Sequence, residues 1–120
     1  ELLTPSLQID EEISFAQIDD RFVSILKQMA PFGPANMRPV FTTKQVLASE
    51  YRLIGEDHLK LKVFEPTDNR IKFDVIGWGM GHYINEISEG VPFDIAYTIE
   101  ENHWNGNTTI QLKLKDLKLV

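Results

Sequence analysis

Three histidines, a scatter of carboxylates and two tryptophans are the side chains here with the means to do chemistry, and their spacing argues against most catalysis. His58, His82 and His103 lie more than twenty residues apart and share neither helical nor hairpin spacing, whereas zinc sites show close ligand pairs. Asp10-Glu11-Glu12 and Glu100-Glu101 resemble paired catalytic carboxylates. Neighbours on a strand point to opposite faces, however, and no base or metal partner accompanies them, so a solvated surface is expected. The sequence has no cysteine, which removes disulfides, thiolate nucleophiles and cysteine-based zinc sites. It has no glycine-rich phosphate loop and no Gly-x-Ser-x-Gly. No catalytic residue and no metal ligand is expected in this chain.

A binding surface is the better use for what remains. Lys60 and Lys62 share a strand face with His58, and Arg70 and Lys72 share the corresponding face of the next strand. Lys113 and Lys115 offer two more cations on the last strand. Trp104, followed by Asn105, falls in the final hairpin, where an exposed indole could stack on a nucleobase for ~1–3 kcal/mol. Trp78, between Gly77 and Gly79, is a second platform candidate but is expected to cap the barrel. Candidate nucleic-acid-binding residues are therefore Lys60, Lys62, Arg70, Lys72, Trp104, Asn105 and Lys113. The net charge of −6 counts against binding by bulk electrostatics, so any phosphate-binding surface must be local.

The elements that would position these groups follow from periodicity. Residues 1–13 are polar and partly alternating, with Leu7 and Ile9 around Gln8, and predict a short strand or extended arm. Ser14 and Gln17 have capping-box spacing, and Asp19 and Asp20 suit the first turn of a helix. Ile18, Phe22, Ile25, Leu26 and Met29 form one apolar helical stripe, and Pro31 and Gly33 end it. Residues 34–39 make a connector, since Pro34 and Pro39 lack N–H donors.

From Val40 the period changes to two. Val40–Gly55 reads as a long bent strand. Leu59, Leu61 and Val63 alternate with polar residues, as do Ile71, Phe73 and Val75, then Phe93, Ile95, Tyr97 and Ile99, then Ile110, Leu112 and Leu114. After Lys115 the apolar parity flips to Leu117 and Leu119, predicting a bulge or a strand end. Pro66–Asn69 and Asn105-Gly106 predict hairpin turns. Met80, Tyr83, Ile84 and Ile87 predict a short helix stopped by Gly90. Three strands, a short helix and a closing hairpin form the order of an OB-fold, a five-stranded Greek-key barrel. A sandwich with one inserted helix is the main competitor. The fold class is thus mainly β, with an N-terminal helix ahead of the barrel. The domain division is 1–39 for arm, helix and connector, and 40–120 for the OB-fold.

A chain of 120 residues with 42% hydrophobic and 25% charged side chains fits one ordinary globular domain plus an appendage. No apolar run approaches a membrane span and no signal peptide is visible, so no membrane partner is expected. Lack of cysteine fits a reducing compartment, and a cytoplasmic location is the expectation. A start on Glu1 rather than Met suggests an excised or processed chain.

Two stretches carry a family resemblance. Ala30-Pro31-Phe32-Gly33-Pro34-Ala35-Asn36-Met37-Arg38-Pro39-Val40-Phe41 resembles the Pro-Phe-Gly-x-Gly-Asn-Pro-x-Pro-x-Phe segment of RecJ exonucleases, which joins their DHH-associated domain to a following OB-fold. Glu101-Asn102-His103-Trp104-Asn105-Gly106 and Ile110-Gln111-Leu112-Lys113-Leu114-Lys115-Asp116 resemble that family's Asn-x-Trp-x-Gly, Gln-Leu and acidic close to the barrel. His58-Leu59-Lys60-Leu61 is similar to one of its strands. Ala35 and Met37 depart from the family's usual Gly and Pro. The resemblance implies a C-terminal piece of a 5′-to-3′ exonuclease acting on single-stranded DNA in repair and recombination. It implies Mn²⁺ or Mg²⁺ held by Asp and His clusters in upstream domains. The lone Asp57-His58 pair is not the family's Asp-His-His motif, so no cofactor and no nuclease activity are expected of this piece itself. Single-stranded DNA, the missing catalytic domains and single-strand-binding protein are the implied partners. Two readings stay open: a DNA-guiding barrel, or an OB module that docks on protein. A third, more remote, is an unrelated OB module that binds sugar or protein.

Overall fold

Apolar residues alternating along four strands, after one long bent strand, suit a closed barrel with its core inside. The computed structural model, which describes residues 11–29 and 38–120, shows that arrangement. Its strands are β1 (Glu11–Glu12), β2 (Phe41–Ile54), β3 (His58–Glu65), β4 (Asp68–Gly77), β5 (Phe93–Trp104) and β6 (Asn107–Leu119), with one helix, α1 (Asp20–Gln28). The sheet order is β1-β2-β3-β4-β6-β5, and β2 pairs with β5 to close the barrel. β4 and β6 run parallel, and the other barrel pairs are antiparallel. This is the predicted OB-fold. The interior holds Val46, Leu59, Leu61, Val63, Val75, Phe93, Ile95, Tyr97, Leu112 and Leu114, all essentially inaccessible to water. Each such side chain contributes ~1.5–3 kcal/mol by leaving water.

β2 closes the barrel because it bends. Its register slips against β5 between Thr43 and Val46, and against β3 between Ala48 and Glu50. At the first slip Gln45 takes a left-handed backbone (φ 56°) and donates its N–H to Asp94 Oδ1 at 2.9 Å. The first half of β2 thus serves β5 and the second half β3. The flip expected after Lys115 is a bulge. Tyr97 pairs with Leu114 and Ala96 with Asp116, which leaves Lys115 as the extra residue. The Asn105-Gly106 turn has both residues left-handed (φ 49° and 79°), as a type I′ hairpin requires.

The segment before the barrel is bound into it. β1 pairs with β2, and Ile13, Phe15, Ile18 and Val23 join the barrel's own core. Phe15 meets Phe73 edge-on at 5.2 Å, and Phe22 meets Phe41 at 5.4 Å. Thr43 Oγ donates to the Ile13 carbonyl (2.8 Å) and so accepts from the buried Tyr97 hydroxyl (2.7 Å).

Two sequence expectations are corrected. Gln17 accepts from the Ser14 N–H (2.9 Å) as expected, but that exchange closes only a 3₁₀ turn at Phe15–Gln17. Ile18 then leaves helical geometry, and Asp19 is the true N-cap of α1, accepting from the Phe22 N–H at 2.9 Å. Between β4 and β5 the short helix is a 3₁₀ segment, Gly81–Asn85. It ends before Gly90, which instead sits left-handed in the turn that follows. The expected arm at Leu7–Ile9, the stop signals Pro31 and Gly33 and connector residues 34–37 lie outside the described residues.

Candidate nucleic-acid interface

Directly paired residues on neighbouring strands share a face, so the registers assemble the outer surface row by row. Arg52 pairs with Lys60, Lys60 with Ile76, and Ile76 with Lys113. One row crossing β2, β3, β4 and β6 therefore carries three cations. The next row runs Glu50, Lys62, Asp74, Gln111. Here acids alternate with the cation, and Lys62 Nζ lies 3.5 Å from Glu50. Arg52, Lys60, Lys62, Glu50 and Asp74 line one groove.

The predicted cations divide accordingly. Lys60, Lys62 and Lys113 share the central outer face. Lys72 stands farther along β4, its Nζ 5.3 Å above the Phe64 ring, within cation–π range. Arg70 is held at the β3–β4 turn by Asp68, through Nε–Oδ1 (3.0 Å) and an Nη bond to Oδ2 (3.2 Å). That guanidinium holds the Asp68 carboxyl below its usual range. Beyond Lys113 the positive surface continues. Burial, then the neighbouring Lys113, pulls the Lys115 ammonium down, with Arg38 adding to the pull and Glu100 opposing it.

Sequence reading missed Arg52, Glu50 and Asp74 as members of this face. Asp74 has the parity of Arg70 and Lys72 and could have been read. Glu50 and Arg52 follow the slip in β2, which resets parity where no residue type announces it.

The tryptophans flank the face. β4 and β5 run in opposite directions, so Trp78, just past β4, and Trp104, at the end of β5, stand at opposite ends of the barrel. Trp104 is 74% exposed and Asn105 beside it is exposed too. Trp78 does not cap the barrel: it is 56% exposed. Two residues beyond Ile76, it has left the sheet and meets His58 edge-on, ring centroids 5.0 Å apart.

A metal centre does not fit these residues. Among the described residues no group of three or more His, Asp or Glu could hold an ion. His58 Nδ1 accepts the Gly79 N–H at 2.9 Å, and His103 Nδ1 is bonded to Thr108 Oγ at 2.9 Å. No helix among the described residues is long and apolar enough to cross a membrane.

A closed five-stranded barrel with a cationic outer row and exposed aromatic residues at its ends defines the class: an OB-fold module. Residues 9–116 match the family model of the RecJ OB domain, and the chain belongs to that family. It is 27% identical over 108 residues to the single-stranded-DNA-specific exonuclease RecJ of Dickeya dadantii, covering 90% of this chain and 18% of that protein. It is 26% identical over 116 residues to the same-named protein of Salmonella typhimurium, covering 97% of this chain and 20% of that one. The chain thus spans about a fifth of the length of these curated relatives. Its fold is that of part of Thermus thermophilus RecJ, solved in complex with Mg²⁺ and with Mn²⁺ (TM-scores 0.54 and 0.56). In both cases the identity is 24%, over 87% of this chain and 14% of the other.

Proposed function

We propose that this barrel binds single-stranded DNA across its outer face and guides it, as a non-catalytic C-terminal part of a 5′-to-3′ single-strand exonuclease of DNA repair and recombination. The observation that carries the reading is the Arg52–Lys60–Lys113 row, three cations on one face of four strands. Lys62, Lys72, Arg70, Trp104 and Asn105 would extend the contact outward from it. The relatives' shared name supplies the substrate. The divalent ions and the hydrolysis belong to domains outside this stretch, with residues 1–39 as the link from the preceding domain and 40–120 as the barrel. The cytoplasm is the compartment that such a role implies.

Fluorescence anisotropy of a labelled single-stranded oligonucleotide tests this. With about three neutralised phosphates, log K should fall with log salt at a slope near −2. A Lys60→Glu/Lys113→Glu double variant should abolish the binding. Absence of salt-sensitive binding by the folded protein overturns the reading.

One observation favours a second reading, docking onto protein. Beside α1, Phe22, Leu26, Met29, Pro39 and Phe41 line an apolar groove, and Ile25 of the same helix is half exposed. On that reading the rest of the exonuclease, or single-strand-binding protein, would occupy the groove. Substitutions at Leu26 and Met29, rather than at Lys60, would then weaken binding.

A further inference from the structure

Trp78 is exposed but not loose. β4 ends at Gly77, and the chain turns through Gly79 with a left-handed backbone (φ 69°). The Gly79 N–H donates to His58 Nδ1 at 2.9 Å, and the His58 ring abuts the indole. Two residues on, the Gly81 N–H donates to the Asp57 carbonyl at 2.9 Å. No side chain fits there: a Cβ on Gly81 would lie 2.9 Å from the Asp57 carbonyl carbon and 2.9 Å from Leu53 Cδ2. The backbone that follows Trp78 is therefore tied by two hydrogen bonds to Asp57 and His58, where β3 begins. More than half of the side chain still faces water. A large ring on a fixed backbone, left wet beside charged side chains, offers an amphipathic platform of the kind enriched at contact surfaces.

Its neighbours give the chemistry of the contact. His58 precedes Lys60 by two residues on the same outward face of β3, and Ile54, its partner on β2, precedes the β2–β3 turn directly. The indole thus ends a column whose next members are Lys60 and, across the strand pair, Arg52. A flat π-face beside a row of cations recognises a planar ring tethered to an anion. A nucleotide of an unpaired strand offers both, whereas a duplex keeps its bases stacked on one another. From this juxtaposition we infer that Trp78 is the nucleobase seat of the barrel and makes its cationic face prefer unpaired over paired strands. The inference rests on the proposed DNA-binding role of that face.

The chain has two tryptophans, so Trp104→Phe leaves Trp78 as the only indole. Its emission is followed during titration with oligothymidylate and, separately, with an abasic strand of equal length. Oligothymidylate should quench Trp78 with the midpoint that anisotropy gives for the same Trp104→Phe protein, and the abasic strand should not. Trp78→Ala should bind oligothymidylate roughly 5- to 150-fold more weakly and the abasic strand and a duplex as before, while Trp78→Phe keeps most of the affinity. Thermal unfolding of the variants checks the fold, and if Trp78→Ala fails to fold, the quenching and the Phe variant decide. Undiminished oligothymidylate binding by Trp78→Ala, with unquenched Trp78 emission, overturns the seat while leaving the DNA-binding role standing. No binding of either strand by the unaltered protein removes both.

Discussion

The two ends of the barrel each present a tryptophan, and they are built on opposite plans. At the β4 end the backbone of Gly79 and Gly81 is tied to His58 and Asp57, with no space left at Gly81. At the β5–β6 end Trp104 rides on a two-residue turn, and a Cβ on Gly106 would meet nothing within 4 Å. The side chains from Asn102 to Thr109 there are all exposed, and the cross-strand bond from His103 to Thr108 is made in the open. Similar exposure therefore conceals different stiffness. A platform fixed before its ligand arrives loses less conformational freedom on binding, which is why the clamped indole, and not the more exposed one, is the better seat.

Paired glycine substitutions test that contrast most severely. Gly81→Val should lower the unfolding free energy by ~1–3 kcal/mol through overpacking, read from urea unfolding, and should shift Trp78 emission. Gly106→Ala should cost about 1 kcal/mol, from the left-handed backbone alone, and leave Trp78 emission unchanged. Unchanged stability and unchanged Trp78 emission in Gly81→Val would mean that the β4 end is as open as the other.

The core between the ends gives a smaller effect that should touch neither. Burial raises the Tyr97 phenol above its ordinary value. The native state then holds a proton that the unfolded chain releases near pH 10. This contribution is whole below about pH 10 and is lost as pH rises above it. Tyr97→Phe should cost about 1 kcal/mol at neutral pH, and above about pH 10 its stability should fall less steeply than that of the unaltered protein. Parallel slopes would show that Tyr97 does not carry the linkage. Smallest of all, Arg70→Ala should leave the urea midpoint nearly unchanged, because the Arg70 side chain is exposed and surface ion pairs contribute little. NMR titration should find only the Asp68 carboxyl returning toward its ordinary range.

Most of the fold was legible because period-two alternation maps directly onto inside and outside. Leu59, Leu61, Val63, Ile95, Tyr97, Leu112 and Leu114 were assigned inward by parity and are buried. The turn at Asn105-Gly106 and the break at Lys115 were readable for the same reason: each is marked by residue type or by a parity change. What escaped depends on long-range contact. Ser14 and Gln17 have capping-box spacing, but Phe15 is drawn into the barrel core, which ends the turn early and moves the helix start to Asp19. Trp78 between two glycines read as a cap, because nothing local announces that Gly81 must approach Asp57. On the cationic face, parity groups Lys60 and Lys62 with Arg70 and Lys72, whereas the registers set Lys60 in a row with Arg52 and Lys113, and the slip in β2 hides Glu50 and Arg52.

Lys115 divides β6 into two reading frames. Before it the even-numbered Leu112 and Leu114 point inward; after it the odd-numbered Leu117 does, while Asp116 turns to accept from the Tyr83 hydroxyl and the Leu117 N–H. The code for inside and outside is therefore written in two phases, joined by a spacer one residue long. Replacing Lys115 alters a charge at the surface. Removing it would fuse the two phases into one unbroken alternation, with Leu114 and Leu117 still inward and Asp116 still between them, and would take away only the bend that the spacer makes.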